Sequence, residues 1–269
     1  MMNGRKRFRG EAQPNTRTYT RGQVSANDER TMIHLETSYR FAYRAKLRGD
    51  IVIIIDTLRF SSSVVTGLSH GIEAFIPVKT LKEARSLYRR DPDLILAGER
   101  RGFKPKSFHI GNSPREFENA YLEGKRVVIT TTNGTMALQY AMGARWILIG
   151  SFLNAKAITA AASRLLKNEG GISLVLASRN GMFFLEDFLC AGLLVSNLGP
   201  DLHVDDKAAA SRLAWASAED RLEDIVRRSW HAKYLESIGY GEDVSLCLRR
   251  DIYSTVPFLR RAEIVRLQI

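Results

Sequence analysis

The stretch IVIIIDTLR, Ile51–Arg59, decides the fold. Five consecutive apolar residues, four of them isoleucine, run straight into an acid, a hydroxyl and, after Leu58, an arginine. A β-branched run without polar alternation reads as a strand covered on both faces, as in a parallel sheet clothed by helices. In open α/β sheets, ligands bind beyond the carboxyl ends of the strands. Asp56 therefore stands where a ligand site is expected.

The same rhythm continues outward from this strand. Apolar runs at Ala74–Val78, Leu94–Ala97, Arg126–Thr130, Trp146–Ile149 and Ile172–Ala177 read as further buried strands. Helical segments alternate with them. Thr80 and Glu83 form a capping box that opens a helix at Leu81–Arg90. Ser62–His70 and Thr135–Met142 each end at a glycine suited to a helix C-terminus, Gly71 and Gly143. Asn154 is placed to cap Ala155–Lys167, Leu185–Leu198 stops at Gly199-Pro200, and Ala208–Ser229 reads as one longer amphipathic helix. Val244–Leu267 supplies an edge strand and a return segment. Strands alternating with helices predict an α/β fold of three layers, α/β/α, with a largely parallel or mixed sheet.

Composition sets the limits. The chain has 269 residues, 45% hydrophobic and 26% charged, so it can bury a sizeable core. No apolar run approaches the roughly 20 residues of a membrane helix. The basic start, Met1–Arg9, is followed by no apolar segment, and the cysteines, Cys190 and Cys247, are too few for a disulfide framework. A cytoplasmic protein is expected. The net charge of +11 is concentrated early: residues 1–49 carry 11 Lys/Arg against four Asp/Glu. Residues 1–30 read as a basic, solvated extension, and residues 31–269 as a single α/β domain. A basic tail can bind nucleic acid, but no aromatic-interleaved motif accompanies this one, so nucleic acid is not the expected partner.

Four strands end in polar loops. Asp56-Thr57-Leu58-Arg59 is followed by three serines, and Gly98-Glu99-Arg100 follows Leu94–Ala97. Thr130-Thr131-Thr132-Asn133-Gly134-Thr135 and Ser178-Arg179-Asn180-Gly181 end two more. The threonine loop suits an anion, because hydroxyls donate hydrogen bonds, Gly134 admits close approach and a helix N-terminus follows. Ordinary N-capping explains the same letters. A carboxylate at the end of an apolar strand is paired with an arginine or bound to a metal. For Asp56 the arginine in reach is Arg59, and the metal alternative gains from Glu99 on a second strand. Glu186-Asp187 opens a helix, where acids complement the dipole or add to such a site. Magnesium prefers oxygen ligands and keeps waters, so Asp56, Glu99, Glu186 and Asp187 would suffice.

Several chemistries are excluded. There is no G-x-x-x-x-G-K-[ST], so the chain is not a P-loop NTPase, and no G-x-G-x-x-G follows a strand. Neither cysteine has an arginine six positions on, where Ser196 and Tyr253 stand, so a cysteine phosphatase is absent. Asp56-Thr57-Leu58 lacks the second aspartate of aspartyl phosphatases. The five histidines are scattered, and only His203-Val204-Asp205 looks ligand-like. Cys190 belongs to an apolar helix face and reads as core.

Taken in order, these loops resemble the 2-phosphosulfolactate phosphatase family of coenzyme M biosynthesis. The matching pieces include Asp56-Thr57-Leu58-Arg59, Ala97-Gly98-Glu99-Arg100, Gly111-Asn112-Ser113-Pro114 and Thr130–Thr135. They continue with Gly150-Ser151-Phe152-Leu153-Asn154, Leu185–Gly192 and Gly239-Tyr240-Gly241-Glu242-Asp243. The resemblance spans roughly residues 50–260 and omits the basic extension. It implies a magnesium-dependent phosphatase that converts (2R)-2-phospho-3-sulfolactate to 3-sulfolactate and phosphate. Asp56, Arg59 and Glu99 are then the catalytic candidates. Arg100, Asn112, Thr131, Thr132, Asn133, Gly134, Asn154 and Arg179 are the substrate or phosphate contacts. Arg59, Arg100 and Arg179 would each oppose one anionic group of the substrate. One departure stands out: the family commonly has Gly-Gly after Glu-Arg, where this chain has Arg101-Gly102. The alternatives are a phosphatase of another small phosphorylated hydroxy acid or sugar, and a non-catalytic nucleic-acid-binding protein. A homo-oligomer is compatible with the sequence.

Overall fold

The computed structural model describes residues 32–268 apart from 119, 167–169, 179–181 and 201. The basic extension and the Arg179 loop, both singled out above, thus lie outside the described residues. In chain order the regular elements begin with β1 (Met32–Glu36), α1 (Tyr43–Arg48), β2 (Ile51–Ile55), α2 (Phe60–Ser69), β3 (Ala74–Pro77), α3 (Leu81–Arg90) and β4 (Ile95–Gly98). Then come β5 (Arg126–Thr130), α4 (Gly134–Ala141), β6 (Trp146–Gly150), α5 (Ala155–Leu165), β7 (Ile172–Leu176), α6 (Leu185–Leu198) and β8 (His203–Val204). The chain closes with α7 (Asp206–Ala218), α8 (Leu222–Arg227), α9 (Trp230–Ser237), α10 (Gly241–Cys247), β9 (Pro257–Arg260) and β10 (Glu263–Arg266).

The strands form one sheet in the order β4-β5-β3-β10-β9-β6-β2-β7-β1-β8. β2 lies between β6 and β7 and is parallel to both, in register over all five of its residues. All five are buried, which is why the strand carries no polar side chain. Val52 and Ile54 face one core with α2 and α4, while Ile51, Ile53 and Ile55 face another with α5 and α6. Helix α3 covers β4 and β5 over a third, smaller cluster. The three-layer α/β/α architecture and the largely parallel sheet follow from this double burial.

The C-terminal segment differs from the expected edge strand. Its hairpin, β9 and β10, is inserted in the middle of the sheet, antiparallel to β6 on one side and to β3 on the other. Followed across that hairpin, the set β3-β4-β5 runs opposite to the set containing β2. Residues that follow the carboxyl ends of β2, β4 and β5 nevertheless line one pocket. β1 and β8 were not anticipated. β1 pairs with β7, and the two-residue β8 sits beyond it. The expected helix Ala208–Ser229 is broken by a 3₁₀ turn at Glu219–Arg221 into α7 and α8. Thr80 caps α3 as read, with the Glu83 N–H donating to Thr80 Oγ1 at 3.1 Å, but the box is not closed, because the Glu83 carboxylate accepts from the Lys79 N–H instead of the Thr80 N–H.

Candidate active site

Strand β2 delivers Asp56 to the lining of a small, partly open pocket of about 50 Å³. One wall is built by Glu99 and the loop after β4, a second by Thr131, Thr132 and Asn133 after β5, and a third by Phe184 and helix α9. The Asp56 backbone is fixed by its own following turn: its N–H donates to Ser61 Oγ and its carbonyl accepts from the Ser61 N–H. Its side chain is only 8% exposed. Burial pushes its carboxyl up to about 7, with Glu99 and Glu186 adding repulsion, against a pull downward from His231 and the Phe60 N–H.

The remaining acids divide by task. Glu99 Oε1 accepts from the Thr132 N–H at 2.6 Å and Oε2 from the Gly102 N–H at 2.8 Å. It thus clamps two pocket loops together while lining the site. Asp187 Oδ1 accepts from the Thr57 N–H at 2.7 Å and so ties α6 to the end of β2. Burial, then Glu186 and Asp56, hold its carboxyl well above the ordinary value. Glu186 is fully buried, with Oε1 at 2.6 Å from His231 Nδ1. The His231 ring stacks on Phe184 at 4.3 Å between centroids. This pair holds the imidazole by one nitrogen and leaves Nε2 as the nitrogen available to the pocket.

The arginines do not act as expected. Arg59 is not the partner of Asp56. Its guanidinium donates to Asp243 Oδ2 and to the Gly102 carbonyl, both at 2.8 Å, and lies 4.0 Å over the Tyr240 ring. Asp243 also accepts from Ser113 Oγ at 2.7 Å, so the pair is a buried, hydrogen-bonded unit that docks α10 under the pocket. Arg100 turns away from the pocket. It donates to the carbonyls of Lys79, Glu99 and Thr130 and to Thr130 Oγ1, which locks the ends of β4 and β5. Arg101, unmarked as a site residue in the sequence reading, lines the pocket instead.

The threonine loop is part capped helix, part wall. Thr131 Oγ1 accepts from the Thr135 N–H, which opens α4. Gly134 serves packing: a Cβ there would stand 2.3 Å from the Phe60 ring. Asn112 lines the pocket, and its Oδ1 is buried with no hydrogen-bond partner among the described residues. Asn154 belongs elsewhere. Its Oδ1 accepts from the Ser151 N–H, closing a capping box on the 3₁₀ turn Phe152–Asn154, and its amide donates to the carbonyls of Ile149 and Thr255, so it braces β6 and gives α5 no side-chain cap. Cys190 is buried core, as read.

The donor chemistry fits a hard cation. Asp56 is a crowded, buried carboxylate on the pocket lining, and Asn112 offers an orphaned amide oxygen on the same lining. Glu186 and Asp187, expected as ligands, do not line the pocket, and they are bound to His231 and Thr57 behind Asp56 and Glu99, which do. Among the described residues no three His, Cys, Asp or Glu side chains converge closely enough to hold an ion by themselves. A magnesium ion here would therefore rest on Asp56, Asn112 and Glu99 with retained waters.

The residues that sequence reasoning missed are His231, Arg101, Trp230, Tyr234 and Asp243. A signal existed for the α9 group. Ser229 is a good N-cap, and its Oγ accepts from the Ala232 N–H. Trp230 and Tyr234, four residues apart, put two rings on one face, stacked at 5.7 Å.

A family model described as 2-phosphosulpholactate phosphatase matches residues 40–262. Among curated proteins, one from Thermotoga petrophila named probable 2-phosphosulfolactate phosphatase is 42% identical over 207 residues, covering 77% of this chain and 88% of that one. One so named from Caldicellulosiruptor saccharolyticus is 38% identical over 219 residues, with 78% and 89% covered. A third, from Clostridium acetobutylicum, is 32% identical over 224 residues, with 82% and 94% covered.

Proposed function

The chain belongs to the 2-phosphosulpholactate phosphatase family of phosphoric monoester hydrolases, and on that premise we propose that it is a magnesium-dependent phosphatase of (2R)-2-phospho-3-sulfolactate. One observation carries the reading. A buried carboxylate, Asp56, faces a pocket walled by hydroxyl and amide donors and by a histidine anchored on a carboxylate. Such a site joins charge stabilisation at phosphorus to proton supply at the leaving oxygen.

In this reading Thr131, Thr132 and Asn133 hold the phosphate against the start of α4. Asp56, Glu99 and Asn112 would hold magnesium, which when bound neutralises charge on the phosphoryl group and the departing oxygen. Water adds to phosphorus and the bridging P–O bond breaks. His231 Nε2 gives its proton to the leaving alkoxide, and the proton shed by water restores the imidazole through solvent. Glu186 keeps the ring oriented for both transfers, and Phe184 and Trp230 keep bulk water off its face. The cytoplasm, where phosphorylated metabolites reside, is the proposed location. Among the described residues no helix is long and apolar enough to cross a membrane.

The test is the turnover of folded Asp56→Asn across a magnesium titration. Electrostatic and metal terms of several kcal/mol predict a loss of roughly a hundredfold or more. High magnesium recovers part of it, because a weakened ligand is rescued by mass action. Near-wild-type turnover at every concentration removes Asp56 from the chemistry.

A further inference from the structure

A substrate bearing three anionic groups, a phosphate, a carboxylate and a sulfonate, needs a cation that the protein has not already neutralised. Within the pocket Arg59 is saturated by Asp243, Gly102 and the Tyr240 ring. Arg100 is spent on carbonyls behind the pocket. Arg101 lines the pocket, is exposed, and its guanidinium has no hydrogen bond or ion pair among the described residues.

The backbone beneath Arg101 is built to present it. Arg100 and Phe103 exchange both N–H···O bonds, at 2.9 and 3.2 Å, around a two-residue turn. The central residues have φ +52° at Arg101 and +79° at Gly102, the positive pair of a type I′ turn. The turn is pinned at three points. The Gly102 N–H donates to Glu99, the Arg101 carbonyl accepts from Tyr234 Oη at 2.8 Å, and a Cβ on Gly102 would stand 2.5 Å from Ile238 Cδ1. Asparagine or glycine suits the position that Arg101 fills. An arginine in this conformation works against the local backbone preference, and such outliers gather at functional sites.

From this we infer that Arg101 is a specificity-determining residue of this chain, pairing with the carboxylate or sulfonate of the substrate rather than with its phosphate. The inference rests on the phosphatase reading above. It moves the recognition role expected of Arg100 one residue along the chain. The pinned turn fixes the root of the side chain, so less freedom is lost when the guanidinium closes on an anion.

The experiment compares three esters on the full-length protein with magnesium: 2-phospho-3-sulfolactate, 2-phospholactate and isopropyl phosphate, which carry two, one and no acidic groups beside the phosphate. Each is measured with wild type, Arg101→Gly and Arg101→Lys. In Arg101→Gly the ratio of kcat/KM for 2-phospho-3-sulfolactate over isopropyl phosphate should fall about tenfold to a hundredfold, the worth of one charge-assisted contact. The loss should appear in KM with kcat within about twofold, since the contact binds ground and transition states alike. Arg101→Lys should keep part of the ratio. Meanwhile the melting temperature of Arg101→Gly should equal or exceed that of wild type, because glycine adopts this φ freely. An unaltered ratio in Arg101→Gly, with wild type active on the acidic esters, overturns the inference alone. No phosphate release by wild type from any ester overturns the phosphatase reading and this inference with it.

Discussion

At the scale of single residues, Asp56 and His231 carry the account in opposite ways. Asp56 is held in a place where its charge is costly, so its effect on stability has a sign. In metal-free protein the folded state keeps the Asp56 proton up to about pH 7, while the unfolded chain sheds it near the ordinary carboxylate value. Between those limits the folded state binds more protons, and stability falls as pH rises. With EDTA present, wild type should lose more stability from pH 5 to pH 8 than Asp56→Asn does, by on the order of 3 kcal/mol. Denaturant melts of the two proteins at both pH values check this; parallel losses would mean Asp56 is not held at raised pKa. His231 is instead held where it is wanted. Glu186→Gln keeps the shape and a hydrogen bond at Nδ1 but removes the charge that steadies the imidazolium. Its kcat should drop about tenfold to a hundredfold with KM little altered, and His231→Asn should drop further, within the 10²- to 10⁴-fold range of general acid catalysis. Steady-state kinetics decide it, and an unchanged kcat in Glu186→Gln would detach the pair from proton transfer.

At the scale of elements, two residues expected in the site are better described by what they hold together. Asn154→Ala removes the bond to the Ser151 N–H and the brace to the Ile149 and Thr255 carbonyls, all buried. It should cost about 1–3 kcal/mol or more in stability while the folded fraction keeps its kcat/KM. Gly134→Ala drives a methyl into the Phe60 ring and should destabilise by about 1–3 kcal/mol through overpacking between α2 and α4. A denaturation midpoint paired with activity per folded molecule separates these effects from catalysis. The elements themselves were legible wherever burial was two-sided, because Ile51–Ile55 carries no polar residue and Ile172–Leu176 only the buried Ser173. β1 escaped notice because its MIHLE carries His34 and Glu36 among its apolar residues. The strand-end loops named Asp56, Glu99 and Thr131, and the family resemblance named Asn112, as neighbours of what is one pocket. Partner choice was not legible. Arg59 lies three residues from Asp56, yet it pairs with Asp243, 184 positions away along the chain, which only the docking of α10 reveals. For the same reason His231, on a helix far along the chain, gave no sign that it faces Asp56.

At the scale of the molecule, the site depends on a sheet closed at its middle by the last strands of the chain. β9 and β10 join the set holding β2 to the set holding β4 and β5, and Asp56 and Glu99 lie on opposite sides of that junction. A chain ending at Thr255 should therefore fail to fold cooperatively, even though it retains every pocket residue. Loss of a single unfolding transition by circular dichroism would show it; a truncated protein with native melting would mean that the hairpin is dispensable. What this architecture is for is tested most directly by phosphate release from 2-phospho-3-sulfolactate, with magnesium and with EDTA, by the intact wild-type protein. Release is expected with magnesium, with loss in EDTA, recovery when magnesium is restored, and slower release from isopropyl phosphate. Release that is indifferent to EDTA, or equal specificity constants for the acidic and neutral esters, would contradict this expectation.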